Sequence, residues 1–285
     1  MLLVSWNVAG RVRRLSEQAE RLLRLSADVV CLQEVTRSTL PIWEALFAEA
    51  AYAGIAHGEL PSADRSRPLV VLTASRTPLH TVLVDGVPWP ERVLAVHLSD
   101  GTEVVNVHSP ISPTPSLAKI RTHEAVHRHL ADQSPGHARI LCGDLNTPRK
   151  EHADGSVWTF ARDRYGLLRP DRGERWDQAE LALIRGLEAY GYRDAFRLLH
   201  PCARDEISWG WARWNGGYRL DHLIVSPDLT VEECRYEHRW RETEDFVPHE
   251  TTVQIRGYRG LACRPTLGPL SISSSTVSPA VAVLR

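Results

Sequence analysis

Carboxylate and amide side chains stand at the ends of four apolar segments of this chain. They are Asn7 after LLVSW, Glu34 after VVCLQ, Asp144 and Asn146 after RILCG, and Asp221 within YRLDHLIVS. A polar residue beside a buried strand is costly unless it is solvated, hydrogen-bonded or bound to a cation. One instance is more often a turn former or helix cap, but several together favour a shared site, because α/β folds bind ligands at the carboxyl ends of their strands.

The order of these residues resembles the motifs of the endonuclease/exonuclease/phosphatase superfamily. The motifs are Ser5-Trp6-Asn7-Val8, Leu32-Gln33-Glu34, Gly143-Asp144-Leu145-Asn146, Arg219-Leu220-Asp221 and a terminal His249. Each motif is weak alone, whereas the ordered set is specific and extends over residues 1–256. Gly191–Arg197, followed by His200-Pro201 and Ser208-Trp209, is similar to exonuclease III-type abasic-site endonucleases. The resemblance implies a Mg²⁺- or Mn²⁺-dependent phosphodiester hydrolase with DNA as its substrate.

The resemblance also implies a role for each residue near the cation. Glu34 supplies a hard oxygen ligand for Mg²⁺ or Mn²⁺, and Asn7 lies beside the metal. Asp144 is expected to activate or orient the attacking water, and Asn146 to donate hydrogen bonds to a phosphate oxygen. The two residues are two positions apart and follow Gly143, which permits an unusual backbone turn, so both can face one site.

The last motif departs from the family pattern. His249 is expected to bind the scissile phosphate, with Asp221 fixing its tautomer. The family usually has Ser-Asp-His here, whereas this chain has Val247-Pro248-His249. The missing aspartate contributes to metal binding in some members, so the sequence leaves open whether one or two metals bind.

Asn106 and His108 end a further apolar segment, VVNVH. Exonuclease III-type enzymes usually have a tyrosine near position 108, while other branches, including several phosphatases, have a histidine. An imidazole there could contact phosphate or protonate the leaving oxygen. We therefore count His108 as a catalytic candidate and Asn106 as a substrate-binding candidate, with a solvent-facing strand-end histidine as the alternative.

Tryptophans cluster shortly before Asp221. Trp209, Trp214 and Arg219 are the candidates for substrate binding, because the resembling enzymes form an apolar pocket for a baseless deoxyribose in this region. Such a pocket excludes a normal nucleotide more readily than a damaged one. Ordinary packing of these tryptophans is the alternative.

Apolar periodicity predicts an alternation of strands and helices. Strands are predicted at Leu2–Val8, Val29–Leu32, Leu69–Thr73, Arg92–Leu98, Glu103–Val107, Arg139–Cys142, Arg219–Val225 and Thr251–Ile255. Helices are predicted at Arg11–Leu25, Pro41–Ala50, Ser116–Ala131 and Gln178–Tyr190, and Glu151–Asp177 reads as a surface insertion. We expect a catalytic domain at residues 1–255 and, because periodicity ends there, a separate tail at 256–285.

Composition places few limits on function. The formal net charge of −1 argues against a protein that coats nucleic acid through bulk charge, but a local basic groove remains compatible with it. Five cysteines without a CxxC spacing favour a reducing cytoplasm and no zinc cluster. We find neither a signal peptide nor an apolar run of about 20 residues, and we expect a cytoplasmic monomer without membrane contact or an obligate protein partner.

The predicted fold is a four-layer α/β sandwich of two packed mixed β-sheets flanked by helices. The predicted function is incision of DNA at abasic sites or trimming of 3′ ends in DNA repair. A small-molecule or lipid phosphatase or phosphodiesterase on the same fold is the first alternative, favoured by the near-neutral charge and His108. A non-catalytic binding module is the second, and Pro248 is its only support.

Overall fold

Two six-stranded β-sheets with helices packed on them, and two short two-stranded sheets, make up the described part of the chain. The computed structural model describes residues 1–10, 12–60, 69–111, 117–132, 137–211, 216–238 and 253–259. Along the chain the strands are β1 (Leu2–Asn7), β2 (Val29–Thr36), β3 (Gly54–His57), β4 (Leu69–Ser75), β5 (Leu79–Val82), β6 (Val93–Leu98), β7 (Glu103–His108), β8 (Arg139–Asp144), β9 (Lys150–Glu151), β10 (Val157–Trp158), β11 (Arg193–Asp194), β12 (Trp209–Trp211), β13 (Gly216–Tyr218), β14 (Asp221–Val225), β15 (Leu229–Tyr236) and β16 (Val253–Arg259). The helices are α1 (Leu15–Arg24), α2 (Leu40–Glu49), α3 (Leu117–Ala131), α4 (Gly173–Ile184) and α5 (Ala195–Leu199).

Both sheets are mixed, as predicted. The first has the order β15-β16-β1-β2-β4-β3, and the second has the order β11-β14-β8-β7-β6-β5. Only β1–β2 and β7–β8 are parallel among the pairs described in these sheets. The two parallel pairs occupy central positions, so their carboxyl ends lie at the middle of each sheet.

Three apolar clusters separate the layers. The first contains Leu3 and Cys31 from one sheet with Ile140 and Cys142 from the other, so it fills the space between the sheets. In the second cluster α1 and α2 pack on the outer face of the first sheet, and in the third α3 and α4 pack on the outer face of the second. The predicted four-layer sandwich is confirmed. Strands such as β2 are buried on both faces, which explains their continuous apolar sequence.

Several boundaries differ from the predictions. Helix α4 begins at Gly173 and ends at Ile184, and a separate 3-10 helix covers Gly186–Tyr190. Part of the predicted surface insertion is therefore helix, and it buries Trp176 against α3. Strand β16 continues to Arg259, beyond the end of the strand predicted at Thr251–Ile255, because its backbone pairs with β1 and β15. Residues 260–285 lie outside the described residues.

No helix in the described ranges has both the length and the apolar character that a membrane crossing requires.

Candidate active site

Residues from both sheets meet where the parallel strand pairs end. Asn7 ends β1, and its Nδ2 lies 3.3 Å from Glu34 Oε1 and 3.2 Å from Asp144 Oδ2. Asp144 ends β8 directly beside His108 of β7 and opposite Asp221 of β14. The structure thus brings together five of the predicted site residues from distant parts of the sequence.

Asn7 orients its two carboxylate neighbours. Its side-chain oxygen accepts a hydrogen bond from the backbone N–H of Ala9 at 3.0 Å, and its amide nitrogen faces Glu34 and Asp144. In this orientation the amide donates to the carboxylates, and its oxygen is already occupied. Of the two predicted metal-binding residues, Glu34 is therefore the one whose side chain offers an anionic oxygen, the ligand type that suits a hard cation.

The carboxylates repel one another. Burial raises the pKa of Asp144 well above its ordinary value, and the charges of Asp221 and Glu34 raise it further, whereas hydrogen bonds from Asn146 and Asn7 act in the opposite direction. A divalent cation beside Glu34 would offset this repulsion. The donor chemistry of the site therefore fits a hard cation.

Within the described part of the chain no group of three or more His, Cys, Asp or Glu side chains is placed to hold a metal ion. A hard divalent cation such as Mg²⁺ keeps several waters when bound and commonly binds proteins through one or two carboxylates. Glu34 would hold such an ion, with Asn7 fixing the direction of its carboxylate.

His108 lies within this cluster, buried in the floor of the site. Its Nε2 is 3.4 Å from Glu34 Oε1, and its Nδ1 is 3.4 Å from Arg92 Nη1. Burial lowers the pKa of His108, and Arg92 lowers it further, although Glu34 acts in the opposite direction. Since Arg92 can only donate, the geometry favours a neutral ring with its proton on Nε2, which suits a hydrogen-bond donor.

Two site residues have strained backbones. Glu34 has φ 58° and Asn146 has φ 51°, in a region that side chains rarely adopt. Asn146 is held there by its N–H, which donates to Asp144 Oδ1 at 2.9 Å, and by its Nδ2, which donates to the carbonyl of Ser109 at 2.7 Å. Such strain persists only where the surroundings over-determine it, and it concentrates at functional sites.

Gly143 allows β7 and β8 to approach each other at the site. Its φ is +120°, and a Cβ atom at this position would lie 2.0 Å from the carbonyl oxygen of Val107. Any other residue would push the strands apart just before Asp144. Glycine is therefore required at position 143 because the neighbouring strand lies so close to it.

Asp221 is fixed through its backbone. Its N–H donates to Ser208 Oγ at 2.9 Å, and its carbonyl accepts from the hydroxyl of Tyr236 at 2.8 Å. These contacts hold β14 in register with β8, so the carboxylate lies beside that of Asp144.

Arg219 and Asn106, which were expected to bind substrate, both lie in the interior of the protein. The guanidinium of Arg219 binds Glu151 through two hydrogen bonds of 2.7 and 2.6 Å and lies 2.9 Å from Asp194, with 2% of the side chain exposed. Asn106 is fully buried between the sheets, where its Nδ2 donates to the carbonyls of Leu32 and Leu72. Both side chains form their hydrogen bonds with other groups inside the protein. In these positions they hold neighbouring residues in place.

The tryptophan cluster is described in part. Trp209 is half-buried on β12 and stacks on Tyr218 of β13, with 5.8 Å between ring centroids and 8° between planes. Trp214 and His249 lie outside the described residues. Their predicted roles stay predictions.

Sequence reasoning missed the residues that hold the segment after Asp144. Lys119 donates to the carbonyl of Asn146, Glu180 accepts from Thr147, and His222 binds the carbonyl of Thr147. A signal was present: Glu180 lies on the same helical face as the buried Trp176 and Leu183, where an acidic residue needs a partner. The partners come from distant segments, so the sequence does not name them.

The chain resembles known proteins over most of its length. The sequence profile of the Endonuclease/Exonuclease/phosphatase family matches residues 4–238. Exodeoxyribonuclease III of Haemophilus influenzae is 42% identical over 60 residues, which cover 19% of this chain and only 22% of that protein. An AP endonuclease from Archaeoglobus fulgidus superposes with a TM-score of 0.66 at 18% identity, covering 92% of this chain and 100% of the other. A 3′ phosphatase, NExo, from Neisseria, solved with a product DNA hairpin, gives 0.64 at 22% identity, with 90% and 98% covered.

The structural likenesses show a common fold, and the profile match extends across both sheets up to β15. The matched range includes Asn7, Glu34, Asp144 and Asp221, the residues that meet at the strand ends. The chain therefore belongs to the endonuclease/exonuclease/phosphatase family.

Proposed function

We propose that this protein is a divalent-metal-dependent phosphodiester hydrolase that acts on DNA, incising it at abasic sites or trimming its 3′ ends. The observation that carries the proposal is the contact of one amide, Asn7, with both Glu34 and Asp144 across the two sheets. It joins a cation ligand to a buried carboxylate that can orient a water. The names of the relatives, an AP endonuclease, a 3′ phosphatase and an exodeoxyribonuclease, support DNA as the substrate.

The protein residues have separate tasks in this proposal. A Mg²⁺ or Mn²⁺ ion held by Glu34 would supply positive charge for the phosphate. Asp144 orients the attacking water, and His108, whose Nε2 lies 3.4 Å from Glu34 Oε1, steadies the carboxylate that would hold the cation. One N–H of the Asn146 amide is bound to Ser109, which leaves the second N–H for a phosphate oxygen. Asp221 adds negative charge beside Asp144 and, as the family pattern implies, orients His249.

Hydrolysis of a small phosphoester is a second candidate function. His108 favours it, because an imidazole in the floor of the site replaces the tyrosine expected of exonuclease III-type enzymes. The two candidates use the same residues and differ in the substrate that they accept.

The test offers three substrates to the purified protein with Mg²⁺: a duplex with one abasic site, the same duplex undamaged, and an aryl phosphodiester. We expect cleavage of the abasic duplex, its loss with EDTA and its return with excess Mg²⁺. Asp144→Asn removes the water-orienting carboxylate at nearly constant shape and should abolish cleavage. Asp100→Asn is the matched control, since Asp100 is exposed in the β6–β7 turn, at the end of the strand remote from His108.

Turnover of the aryl phosphodiester while both duplexes stay intact would favour the second candidate function, hydrolysis of a small phosphoester. Cleavage by the Asp144→Asn variant at the wild-type rate would mean that Asp144 is not needed for the activity. The assignment of this site would then be refuted, and a contaminating nuclease would be the source of the cleavage.

A further inference from the structure

The segment that follows β8 carries Asn146 and Thr147 and has no regular secondary structure. Its backbone is nevertheless bound at both carbonyls. The carbonyl of Asn146 accepts from Lys119 Nζ at 2.7 Å, and the carbonyl of Thr147 accepts from His222 Nε2 at 2.9 Å. Neither of these donors touches Asp144, Asn7 or Glu34 among the contacts described.

Lys119 is a buried cation whose position is fixed by one carboxylate. It projects from α3, and its Nζ lies 2.7 Å from Glu180 Oε1 of α4. The two side chains are 4% and 0% exposed. A buried charge is strongly unfavourable without a partner, so loss of either residue leaves the other as an uncompensated charge.

Glu180 gathers four donors onto its carboxylate. Oε1 accepts from Lys119 and from Trp176 Nε1 at 2.7 Å, and Oε2 accepts from the Thr147 hydroxyl at 2.8 Å and the Phe160 N–H at 2.9 Å. Only the ionised carboxylate accepts from four directions. Burial alone would raise the pKa of Glu180, but the charge of Lys119 and these hydrogen bonds hold it below its ordinary value.

The charged pair thus contacts both residues of the segment after β8. Lys119 binds Asn146, and Glu180 binds Thr147. Asn146 has φ 51°, in the left-handed region, and the bond from Lys119 to its carbonyl helps to hold it there. The pair lies at the α3–α4 contact, behind the segment, where it cannot reach a substrate bound at Asp144 because both side chains are buried.

We propose that Lys119 and Glu180 are positioning residues, which hold the backbone of Asn146 and Thr147 so that the Asn146 amide points into the active site. This inference rests on the proposed function for its kinetic consequence. Loss of either residue leaves the metal ligand Glu34 in place but lets the segment relax. The Asn146 amide then misses the developing charge on the phosphate, so turnover falls while substrate binding is kept.

Two variants and one control test this role. Lys119→Met keeps the length of the side chain and removes the charge and the donor. Glu180→Gln keeps the shape of the side chain but replaces one carboxylate oxygen by an NH₂ group. That group then faces the donors that the oxygen accepted from. Arg175→Met is the control, because Arg175 forms the other α3–α4 ion pair, with Glu124 at 2.8 Å, on the exposed side of the same helices.

Steady-state kinetics on the abasic duplex should show a fall in kcat of about 100-fold for Lys119→Met, since a misplacement near 1 Å has that effect, with KM close to the wild-type value. Glu180→Gln should act in the same direction, and Arg175→Met should match the wild type. Hydrogen–deuterium exchange gives a readout without substrate: residues 144–149 should exchange faster in both variants, and β1 and β2 should be unchanged.

Wild-type kcat and wild-type exchange at residues 144–149 in Lys119→Met would overturn the proposal. Faster exchange throughout both sheets would also overturn it, since that result indicates general loosening. If Lys119→Met does not fold, Glu180→Gln decides by the same two readouts. If the wild type cleaves none of the substrates, the proposed function fails, and the exchange measurement still decides whether the pair positions the segment.

Discussion

Acid should weaken the ion network around Arg219 in a defined pH range. Glu151 of β9 binds Arg219 through both carboxylate oxygens and also binds Arg197 at 2.8 Å. Arg219 lies two positions before Asp221, so this network ties the β9 hairpin to the strand that carries a catalytic candidate. The variant Glu151→Gln removes the anion at nearly constant volume.

The size of the effect follows from the pKa of Glu151. Burial alone would raise it, but the hydrogen bonds and charge of Arg219, with Arg197, lower it from 4.5 to about 2. A depressed carboxylate pKa means that the folded state prefers the ion, so the stabilisation is complete above the unfolded value and is lost as pH falls through about 2. A shift of this size corresponds to about 3 kcal/mol at pH 7, since each pKa unit is worth about 1.4 kcal/mol.

Urea unfolding of wild type and Glu151→Gln from pH 7 to pH 2.5 measures this contribution. The difference in unfolding free energy should be about 3 kcal/mol at pH 7 and should shrink below pH 4.5. Glu20→Gln is the control, because its pair with Arg24 is exposed and such pairs contribute about 1 kcal/mol or less. A difference that stays constant over the whole range, or one no larger than that of Glu20→Gln, would refute the reasoning.

Three further substitutions test how the surrounding structure supports the site. Thermal or urea unfolding measures the change in unfolding free energy for each of them. Gly143→Ala should destabilise the fold by about 3 kcal/mol or more, because its Cβ would lie 2.0 Å from the Val107 carbonyl; a melting temperature like that of the wild type would contradict the close approach. Asn106→Ala should cost about 2–4 kcal/mol, since it leaves buried partners such as Gln33 without their bond, and should leave KM unchanged; an increase in KM without loss of stability would restore its substrate role. Leu141→Ala should cost about 2–5 kcal/mol, because the side chain is fully buried between the second sheet and its helices; a loss below about 1 kcal/mol would indicate that the site collapses around the cavity.

Much of the strand and helix order could be predicted from local patterns. The continuous apolar segments became strands covered on both faces, and the periodic segment Arg11–Leu25 contains α1. Local patterns failed where a strand has little apolar signal of its own. The edge strand β5, with sequence LHTV, forms because its backbone pairs with β6. Strand β15 does alternate apolar and polar residues, but a bulge between Val231 and Glu233 interrupts the alternation.

The same division holds in the active site. The meeting of Glu34, Asp144 and Asp221 at one site could be predicted, because charged residues beside apolar segments gather where the strands of an α/β fold end. The roles of Arg219 and Asn106 could not be predicted in this way. A polar residue near a motif has the same sequence pattern whether its side chain faces substrate or a buried partner. Their partners, Glu151 for one and Leu32 for the other, lie 68 and 74 residues away.

The sequence by itself therefore determined the family, the layered α/β class and the residue types available at the strand ends, because these depend on local composition and on the order of motifs. Only the tertiary structure decided that Asn7 joins Glu34 to Asp144 across the sheets and that Lys119 and Glu180 hold the segment of Asn146. The physical reason is that hydrogen bonds and buried ion pairs act over about 3 Å in space, whatever the separation of the residues along the chain.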